Sequence, residues 1–290
     1  MWDKYIKLVQ VYRNTNFNLK MEEYFSGLKL YGNDFKTNAI KKWYQEEAEG
    51  YSNLSSREII LLNKGIYLYE NVNLIHGYKF LDKNRKYKNV LGIGSATGHE
   101  FLPIIDKIEN LYILEPSDKL QGNKVKEKRI NYVKPEINGE IKFEDDFFDL
   151  ITCFGVLHHI PNVSFIISEV YRVLKKDGVF LLREPIVSMG DWRYPRPGLT
   201  KNERGIPVDF LRKDLTNKNF KINQEHYCFT LSSFFSRITR RFLKKPIYAY
   251  RGYVLFDKII SQLLKWNIKY HTTNKYRRVF PQSVYFVIRK

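Results

Sequence analysis

The sequence contains few cysteines and no long apolar run, and both shortages limit what the chain can be. Cys153 and Cys228 are its only cysteines, so no disulfide framework is predicted. Cys153 lies in an apolar run, and we interpret it as a buried small side chain rather than a nucleophile. No apolar run approaches the roughly 18 residues of a membrane span, and the first ten residues, MWDKYIKLVQ, lack the apolar core of a signal peptide. These absences favour a cytoplasmic protein without a transmembrane segment.

Negative charge is also in short supply. The chain has 49 Lys and Arg against 31 Asp and Glu, a formal net charge of +18. Such a balance favours anionic partners, namely nucleic acid, phosphorylated metabolites or an acidic membrane face. A general abundance of Lys explains the total equally well, so only clustered charge is informative. With 290 residues, 43% of them hydrophobic, the chain can form one large α/β domain with attachments.

The hydrophobic pattern changes near residue 85. Before that point, IKKWYQEEAEG (40–50) can be helical, and residues 55–69 carry apolar side chains at helical spacing. We therefore expect residues 1–85 to form a helical N-terminal segment that covers the cleft of a domain formed by residues 86–290.

From Tyr87 onward, short apolar strands alternate with helix-like segments. Strands are predicted at 89–93, 111–114, 148–154, 179–182, 226–231 and 283–290, and helices at 97–108, 162–174 and 254–266. The alternation predicts an α/β fold, a parallel sheet with helices on both faces. The nearly continuous apolar character of the strands agrees, because such strands are buried on both sides.

A stretch of small residues follows the first of these strands. In VLGIGSATGHE (90–100), Gly94, Ser95, Ala96 and Gly98 come where the chain turns toward a helix. Ligands of open α/β sheets bind beyond the carboxyl ends of the strands, and small residues let the backbone approach them. The spacing G-x-G-x-x-x-G differs by one residue from the dinucleotide fingerprint, and similar turns also occur for packing alone.

Glu115 ends the second strand, 17 positions after Gly98. A carboxylate at this point can accept two hydrogen bonds from the vicinal hydroxyls of a ribose. A solvated glutamate at a strand end is the alternative. Together with the small residues before it, Glu115 predicts a nucleoside-bearing cofactor.

Two longer stretches carry a family resemblance. FDLITCFGVLHHIPN (148–162) and EVYRVLKKDGVFLLREP (169–185) resemble the fourth and fifth strand region of class I S-adenosylmethionine-dependent methyltransferases, in which a Phe-Asp strand runs into a Leu-His-His turn. VLGIGSATG resembles the first motif of that family, LYILEPS the second and, more weakly, WYQEEAEGY (43–51) its helical lead-in. A nicotinamide enzyme would need G-x-G-x-x-G and gives no reason for the Leu-His-His turn.

The resemblance covers about residues 87–185 and implies both fold and cofactor. The implied fold is Rossmann-like, a seven-stranded, mostly parallel sheet with helices on both faces, a helical N-terminal segment and a C-terminal insertion. The implied cofactor is S-adenosylmethionine, with S-adenosylhomocysteine as product. Its expected contacts are Gly92, Gly94, Ser95, Ala96, Gly98, Glu115, Pro116, Glu136, Asn138, Phe154 and Gly155.

Two positions depart from the family pattern. The family usually has an acid where this chain has Gly92 and a glycine where it has Ala96. Glu100 or His99 could substitute for the missing acid. The acid near the adenine usually follows the third strand, where Glu136 and Asn138 are both candidates.

For the reaction itself, an alcohol acceptor needs a base near its proton. The candidates are His158, His159 and Glu184, all predicted at the carboxyl edge of the sheet. Alternatively, one histidine fixes the loop and Glu184 orients the substrate. No metal is expected.

The loop 186–207 is the predicted acceptor site, with the ordinary solvated loop as its alternative. Arginine side chains offer planar forks for phosphate or carboxylate, an indole offers a flat face, and a histidine from the C-terminal region can close the cleft. The predicted substrate-binding residues are Arg183, Trp192, Arg193, Arg196, Arg204 and His271.

Within the predicted inserted helices 232–268, FFSRITRRFLKK (234–245) alternates aromatic and basic residues. Such a helix can lie on an anionic membrane surface. The alternative is a helix whose apolar face covers its own domain.

The sequence leaves three candidate functions. The first is O-methylation of an anionic small molecule or saccharide, such as a phosphorylated sugar, a nucleotide sugar or a lipid-linked glycan, in carbohydrate biosynthesis. The second is RNA methylation, which the net charge favours. Against it, TCFG (152–155) stands where amino-methylating nucleic-acid enzymes carry Asn/Asp-Pro-Pro-aromatic. The third is a non-catalytic cofactor-binding protein, to which Gly92 and Ala96 point. The oligomeric state is not predicted.

Overall fold

The computed structural model describes residues 21–51, 65–192, 194, 196, 198–272 and 279–290. Its strands are β1 (Tyr87–Ile93), β2 (Ile108–Leu114), β3 (Lys124–Val125), β4 (Lys128–Val133), β5 (Phe148–Phe154), β6 (Leu174–Pro185), β7 (Lys221–Cys228) and β8 (Ser283–Arg289). Its α-helices are α1 (Thr37–Tyr51), α2 (Glu70–His76), α3 (Val163–Val173), α4 (Val208–Asn217), α5 (Ser232–Thr239) and α6 (Arg251–Leu263).

The strands form one mixed sheet in the order β3-β4-β2-β1-β5-β6-β8-β7. Strands β4, β2, β1, β5 and β6 pair in parallel, and β8 lies antiparallel between β6 and β7. The predicted α/β, Rossmann-like fold is confirmed. The described sheet has eight strands rather than seven, because the two-residue strand β3 turns back antiparallel onto β4.

The central strands explain why the sheet is buried on both faces. Every residue of β5 is buried, and successive side chains point to opposite sides. Leu150 packs with Phe101 and Leu111 in the core on one face. On the other face, Ile151 packs with Ile167 and Val170 of helix α3. The apolar run that predicted this strand therefore supplies both cores at once.

Several elements differ from the sequence prediction. The segment expected as a helix at 97–108 is a 3-10 helix, His99–Lys107, with Pro103 inside it; proline has no N–H to donate to a regular α-helical turn. The strand expected at 226–231 ends at Cys228, because the Asp257 carboxylate accepts the N–H groups of Phe229 and Thr230. The helix expected at 55–69 falls largely outside the described residues, and 65–69 are not helical.

None of the helices in the described ranges is long and apolar enough to cross a bilayer.

Candidate active site

A cavity of about 950 Å³ opens at the carboxyl edge of β1, β5 and β6. Ligand pockets commonly measure about 300–1,000 Å³, so this one has room for a cofactor together with a small acceptor. Its walls come from the turns after β1 (94–97), β5 (154–159) and β6 (185–190), and from residues of α5 and of the C-terminal region. This is the edge at which the sequence predicted a ligand.

The turn after β1 exposes bare backbone to the cavity. Gly94 and Gly98 have φ angles of 63° and 74°, and Ala96 adopts φ 46°. A Cβ atom on Gly94 would lie 2.6 Å from Val156, so no larger residue fits. Residues 94–97 line the cavity, and three of the predicted cofactor contacts are therefore brought together there.

Glu115 lies directly behind this turn. Its carboxylate accepts the Ala96 N–H at 3.3 Å and the Ser117 N–H at 2.9 Å. Burial raises the pKa of Glu115. Each carboxylate oxygen keeps a second lone pair, but the side chain is only 4% exposed, so only its edge is open to a ligand. Pro116 follows it and, like Glu115, is not part of the cavity wall.

The position of Gly92 leaves no room for the family's acid. A Cβ atom there would lie 2.2 Å from Ser95 Oγ and 2.9 Å from Phe101, and Gly92 is not part of the cavity wall. The wall has a carboxylate nevertheless, because Glu100 lines it and accepts a 2.6 Å hydrogen bond from Thr152 Oγ1. Burial raises the pKa of Glu100 to about 7. His99 lines the cavity as well.

The structure does not bring the two adenine candidates to the cavity. Glu136 pairs with Lys142 at 2.5 Å. The side-chain oxygen of Asn138 accepts the Glu140 N–H at 3.0 Å. Phe154 and Gly155, in contrast, both line the cavity at the end of β5. The adenine contact therefore stays unassigned.

The buried carboxylate of Glu184 holds the Leu-His-His turn. It accepts the N–H groups of Val156 at 2.9 Å, Leu157 at 2.8 Å and His158 at 3.3 Å. His158 Nδ1 lies 2.9 Å from the same carboxylate. With its oxygens used in this way and 0% exposure, Glu184 positions the turn rather than acting as the base the sequence analysis considered.

Glu184 also fixes the tautomer of His158. An ionised carboxylate can only accept, so Nδ1 carries the proton and Nε2 keeps its lone pair. Burial lowers the pKa of His158, which favours the neutral ring. Because His158 lines the cavity, this lone pair is available to a ligand.

His159 connects three parts of the chain. Its Nδ1 lies 3.1 Å from the Glu47 carboxylate on α1, to which Thr200 Oγ1 also donates at 2.7 Å. Its backbone carbonyl accepts Trp43 Nε1 at 2.7 Å. Helix α1 and the loop 186–207 therefore meet on this residue at the cavity wall.

Three side chains in the described part of the chain could hold a metal ion. A ring nitrogen of His158, one of His159 and a carboxylate oxygen of Glu203 all lie within 4.8 Å of one another. His158 Nε2 is 3.7 Å from Glu203 Oε1. Imidazole and carboxylate are ligands that divalent cations such as Zn²⁺ accept, although the sequence analysis expected no metal.

Two predicted substrate-binding arginines are used inside the protein. Arg204 is 0% exposed and stacks on Trp43 at 5.0 Å. It donates to the backbone carbonyls of Tyr31, Leu157, His158, Ile160 and Pro161. Arg196 donates to those of Met189, Thr200, Lys201 and Glu203. This geometry contradicts the prediction that either one binds an acceptor, because their donors already have acceptors.

Trp192 and His271 belong to an aromatic cluster outside the cavity wall. Trp192 stacks on Phe25 at 4.5 Å and donates Nε1 to the Ser188 carbonyl. His271 Nδ1 lies 2.8 Å from Ser188 Oγ, and its ring packs on Phe25. Neither residue is brought to the cavity, and Arg193 lies outside the described residues.

Arg183 is the exception among the predicted arginines. It lines the cavity, is 6% exposed, and its guanidinium lies 4.3 Å from the ring of Tyr69, with Phe154 and Phe229 within 6 Å. Its Nη1 is buried without a hydrogen-bond partner. No ion pair joins it to a carboxylate of the described residues, although Glu100 lines the same cavity and the charge of Arg183 acts to lower its pKa.

Sequence reasoning missed Glu47 and Glu203, which contact the two histidines. Glu47 lies within WYQEEAEGY, whose resemblance was noted without a role for the acid. Glu203 lies in the predicted acceptor loop, in which arginines and Trp192 were predicted to bind the substrate but no acid was. No local motif marks either residue, because their partners are distant in sequence.

The Arg204 contacts predict a stability effect. Replacing Arg204 with methionine removes five hydrogen bonds and leaves the carbonyls of Tyr31 and Ile160 without a donor among the described residues, and we expect the free energy of unfolding to fall by about 3 kcal/mol. Urea denaturation measures it. The matched variant Lys201→Met removes an exposed pair with Glu46 and should cost less than about 1 kcal/mol; equal losses would contradict the assignment.

The crowding at Gly92 predicts that restoring the family's acid is harmful. Gly92→Asp should lower the free energy of unfolding by about 1–3 kcal/mol, the usual cost of overpacking. Gly252→Asp is the control, since a Cβ atom at Gly252 meets nothing within 4 Å. A Gly92→Asp protein as stable as the wild type would show that the turn has room.

Comparisons with known proteins agree with this geometry. Residues 70–229 match the family model described as "Methyltransferase domain", which is more than half of the chain. The uncharacterized methyltransferase YcgJ of Bacillus subtilis is 33% identical over 103 residues, 34% of this chain and 41% of that protein. The chain thus matches less than half of this relative's length.

Solved structures of methyltransferases are also similar to this chain. One, a complex between the Haloferax volcanii Trm112 methyltransferase activator and a methyltransferase, has a TM-score of 0.53 at 11% identity and covers 81% of this chain and 94% of that one. Another, a Haemonchus contortus phosphoethanolamine N-methyltransferase, has a TM-score of 0.49 at 16% identity and covers 76% and 52%. The chain belongs to the methyltransferase domain family, and its cofactor is S-adenosylmethionine, as the sequence predicted.

Proposed function

We propose that this protein O-methylates a small molecule or saccharide that carries an anionic group, such as a phosphorylated sugar, a nucleotide sugar or a lipid-linked glycan. The observation that carries the proposal is Arg183, a buried cation in the wall of the ligand cavity that forms no ion pair with the described residues and whose Nη1 has no hydrogen-bond partner. The free thiols of Cys153 and Cys228 support placing the activity in the cytoplasm.

Arg183 favours an anionic acceptor for an energetic reason. Keeping a charge away from water is costly unless an opposite charge or hydrogen-bond acceptors compensate it. The aromatic rings of Tyr69, Phe154 and Phe229 surround the guanidinium but supply no full negative charge. A phosphate or carboxylate can accept two parallel hydrogen bonds from the guanidinium. A neutral acceptor would leave Arg183 without an ion pair to any carboxylate of the described residues.

We infer that the cofactor binds along the turn after β1. The backbone of residues 94–97 carries no large side chain, and Glu100, Phe154 and Gly155 line the same cavity, with Phe154 beside Arg183. Bound there, S-adenosylmethionine supplies a methyl group on a sulfonium that is already electrophilic. The protein then contributes mainly by holding the acceptor oxygen in line with that methyl group.

His158 is the proposed proton acceptor. Glu184 holds Nδ1 at 2.9 Å, so Nε2 faces the cavity with a lone pair that can take the proton of the acceptor hydroxyl. Glu203 Oε1, 3.7 Å from Nε2, stabilises the imidazolium that forms. The arrangement is that of a histidine oriented by a buried carboxylate.

The acceptor proposal predicts a specific defect for Arg183→Met. With a panel of phosphorylated sugars and nucleotide sugars, we expect kcat/KM to fall about 10–100-fold, the loss of one charge-assisted contact. Calorimetry should show unchanged affinity for S-adenosylhomocysteine. Arg212→Met, which removes a contact with Glu225 on β7, is the control. Weaker S-adenosylhomocysteine binding with unchanged kcat/KM would assign Arg183 to the cofactor instead, and methylation of total RNA alone would favour the RNA alternative.

The base assignment predicts unequal effects at the two histidines. His158→Gln should lower kcat about 10²–10⁴-fold, the usual contribution of a positioned base, with S-adenosylhomocysteine affinity retained. His159→Gln should lower kcat less, because His159 is held by Glu47 and positions the turn. A larger loss at His159 than at His158 would reverse the roles.

We also expect the reaction to need no divalent metal. In the proposed mechanism the His158 Nε2 lone pair accepts the proton of the acceptor hydroxyl, so it cannot also bind a metal ion. Full activity after treatment with EDTA and gel filtration is the expected result. Loss of activity with EDTA that Mn²⁺, Mg²⁺ or Zn²⁺ restores would instead assign His158, His159 and Glu203 as metal ligands.

A further inference from the structure

Large apolar side chains point outward from one region of the molecule. Among the described residues, 14 large hydrophobic side chains are exposed, and nine of them lie between 234 and 266. We call eight of these the apolar face: Phe234, Ile238, Phe242, Leu255, Phe256, Ile259, Leu263 and Trp266, which are 45–83% exposed. Monomeric proteins rarely leave such a cluster uncovered unless it binds something.

Helix α6 has its polarity reversed. Its inward side carries Val254, Asp257 and Ser261, all buried. Asp257 accepts two backbone N–H groups, and Ser261 Oγ lies 2.7 Å from Thr230 Oγ1. Its outward side carries four of the large apolar residues. A helix on a soluble domain normally places its apolar stripe on the core, so α6 is anchored by polar contacts and presents its apolar stripe to a partner.

Helices α5 and α6 contact each other through aromatic and hydroxyl side chains. The ring of Tyr253 on α6 lies 5.9 Å from that of Phe235 on α5 and 6.2 Å from that of Phe256. Tyr253 Oη also lies 3.2 Å from Ser232 Oγ. The outward side chains of the two helices therefore lie on neighbouring parts of the surface. The alternative in which α5 covers its own domain does not describe Phe234 or Ile238, which are more than half exposed.

The segment that carries the apolar face is mostly cationic. Residues 232–269 contain nine lysines and arginines and a single carboxylate, Asp257, which is 3% exposed. The accessible charge of the segment itself is therefore positive, and Glu225 of β7, which pairs with Arg212, is the acid that interacts with its Lys265. Aromatic and aliphatic side chains interspersed with Lys and Arg are typical of helices that lie in the interface of an anionic bilayer.

We propose that the apolar face docks the protein onto an anionic lipid bilayer. The aromatic and aliphatic side chains enter the headgroup region, and the surrounding basic residues contact lipid phosphates. A second copy of the chain would bring the nine cations of each protomer together, which disfavours self-association through this face.

The orientation of the docked protein indicates what kind of molecule carries the acceptor group. Ser232, Ser233 and Ser236 on α5 line the ligand cavity, while Phe234 and Ile238 on the same helix belong to the apolar face. Helix α5 therefore lies between the cavity and the docked face, so docking brings the cavity within about one helix diameter, roughly 10 Å, of the membrane surface. Resting on the proposed function, we infer that the acceptor is the anionic headgroup of a lipid-borne molecule, with Arg183 receiving its charge.

Vesicle sedimentation tests the docking surface. We expect the protein to sediment with vesicles of phosphatidylcholine and phosphatidylglycerol at equal parts, and at least tenfold more weakly with phosphatidylcholine alone or at high salt. Phe242→Asp with Leu263→Asp should weaken binding at least tenfold. Leu28→Asp is the control, since Leu28 is 83% exposed and lies outside the apolar face. Unchanged S-adenosylhomocysteine affinity shows that each variant is folded.

Three results would overturn the docking proposal. They are no preference for anionic vesicles, equal binding by the double variant, or a wild-type dimer in light scattering that the double variant abolishes without any vesicle binding. Sedimentation with vesicles needs no acceptor. Vesicle binding without any methylation would therefore contradict the proposed function but still support the docking surface. Labelled methyl groups recovered in an organic extract after incubation with total lipid support the lipid-borne acceptor; label found only on water-soluble acceptors overturns it.

Discussion

Two buried ions of opposite charge hold the turn on which the site depends. The Glu184 carboxylate accepts the N–H groups of residues 156–158, and the Arg204 guanidinium donates to the carbonyls of 157, 158, 160 and 161. Residues 157–159 form a single 3-10 turn, which pairs few of its own backbone groups, and leaving the others buried and unpaired would be costly. Because both ions come from elsewhere in the chain, the turn is fixed to β6 and to the loop 186–207 at once.

Fixing the turn also fixes the chemistry beside it. The carboxylate that collects the backbone N–H groups also sets the tautomer of His158, so one buried charge serves both the architecture and the proton acceptor. The groups that surround each arginine also determine which of them can bind a ligand. Arg204 and Arg196 are surrounded by carbonyl oxygens, whereas Arg183 is surrounded by aromatic rings. Only the last has charge left for a ligand.

The sequence predicted the central sheet well, because its strands are uninterrupted apolar runs bounded by turns. Strand β5 occupies the predicted range 148–154. The role of each site residue was harder to predict. Four arginines near one loop look alike in sequence, and their burial partners, the carbonyls for Arg204 and the rings for Arg183, become neighbours only after folding. Likewise, Gly92 carries no acid, and the carboxylate that lines the cavity after β1 is that of Glu100, eight residues further along the chain.

The direction in which the apolar stripe of helix α6 faces could not be predicted from the sequence. Apolar spacing along a helix identifies a stripe but not the direction in which it faces, and the usual assumption is that it faces the core. Here two backbone N–H groups at the end of β7 require the Asp257 carboxylate, and that requirement turns the apolar stripe of α6 outward. The packing of one polar residue decides the orientation of the surface.

A crystal structure of the protein with S-adenosylhomocysteine tests most directly where the cofactor binds and whether Arg183 is free for the acceptor. We expect the ligand to lie along the backbone of residues 94–97, with its ribose at Glu115 and the Arg183 guanidinium still open to the cavity. A ligand whose carboxylate occupies Arg183, or one bound away from residues 94–97, would contradict this expectation.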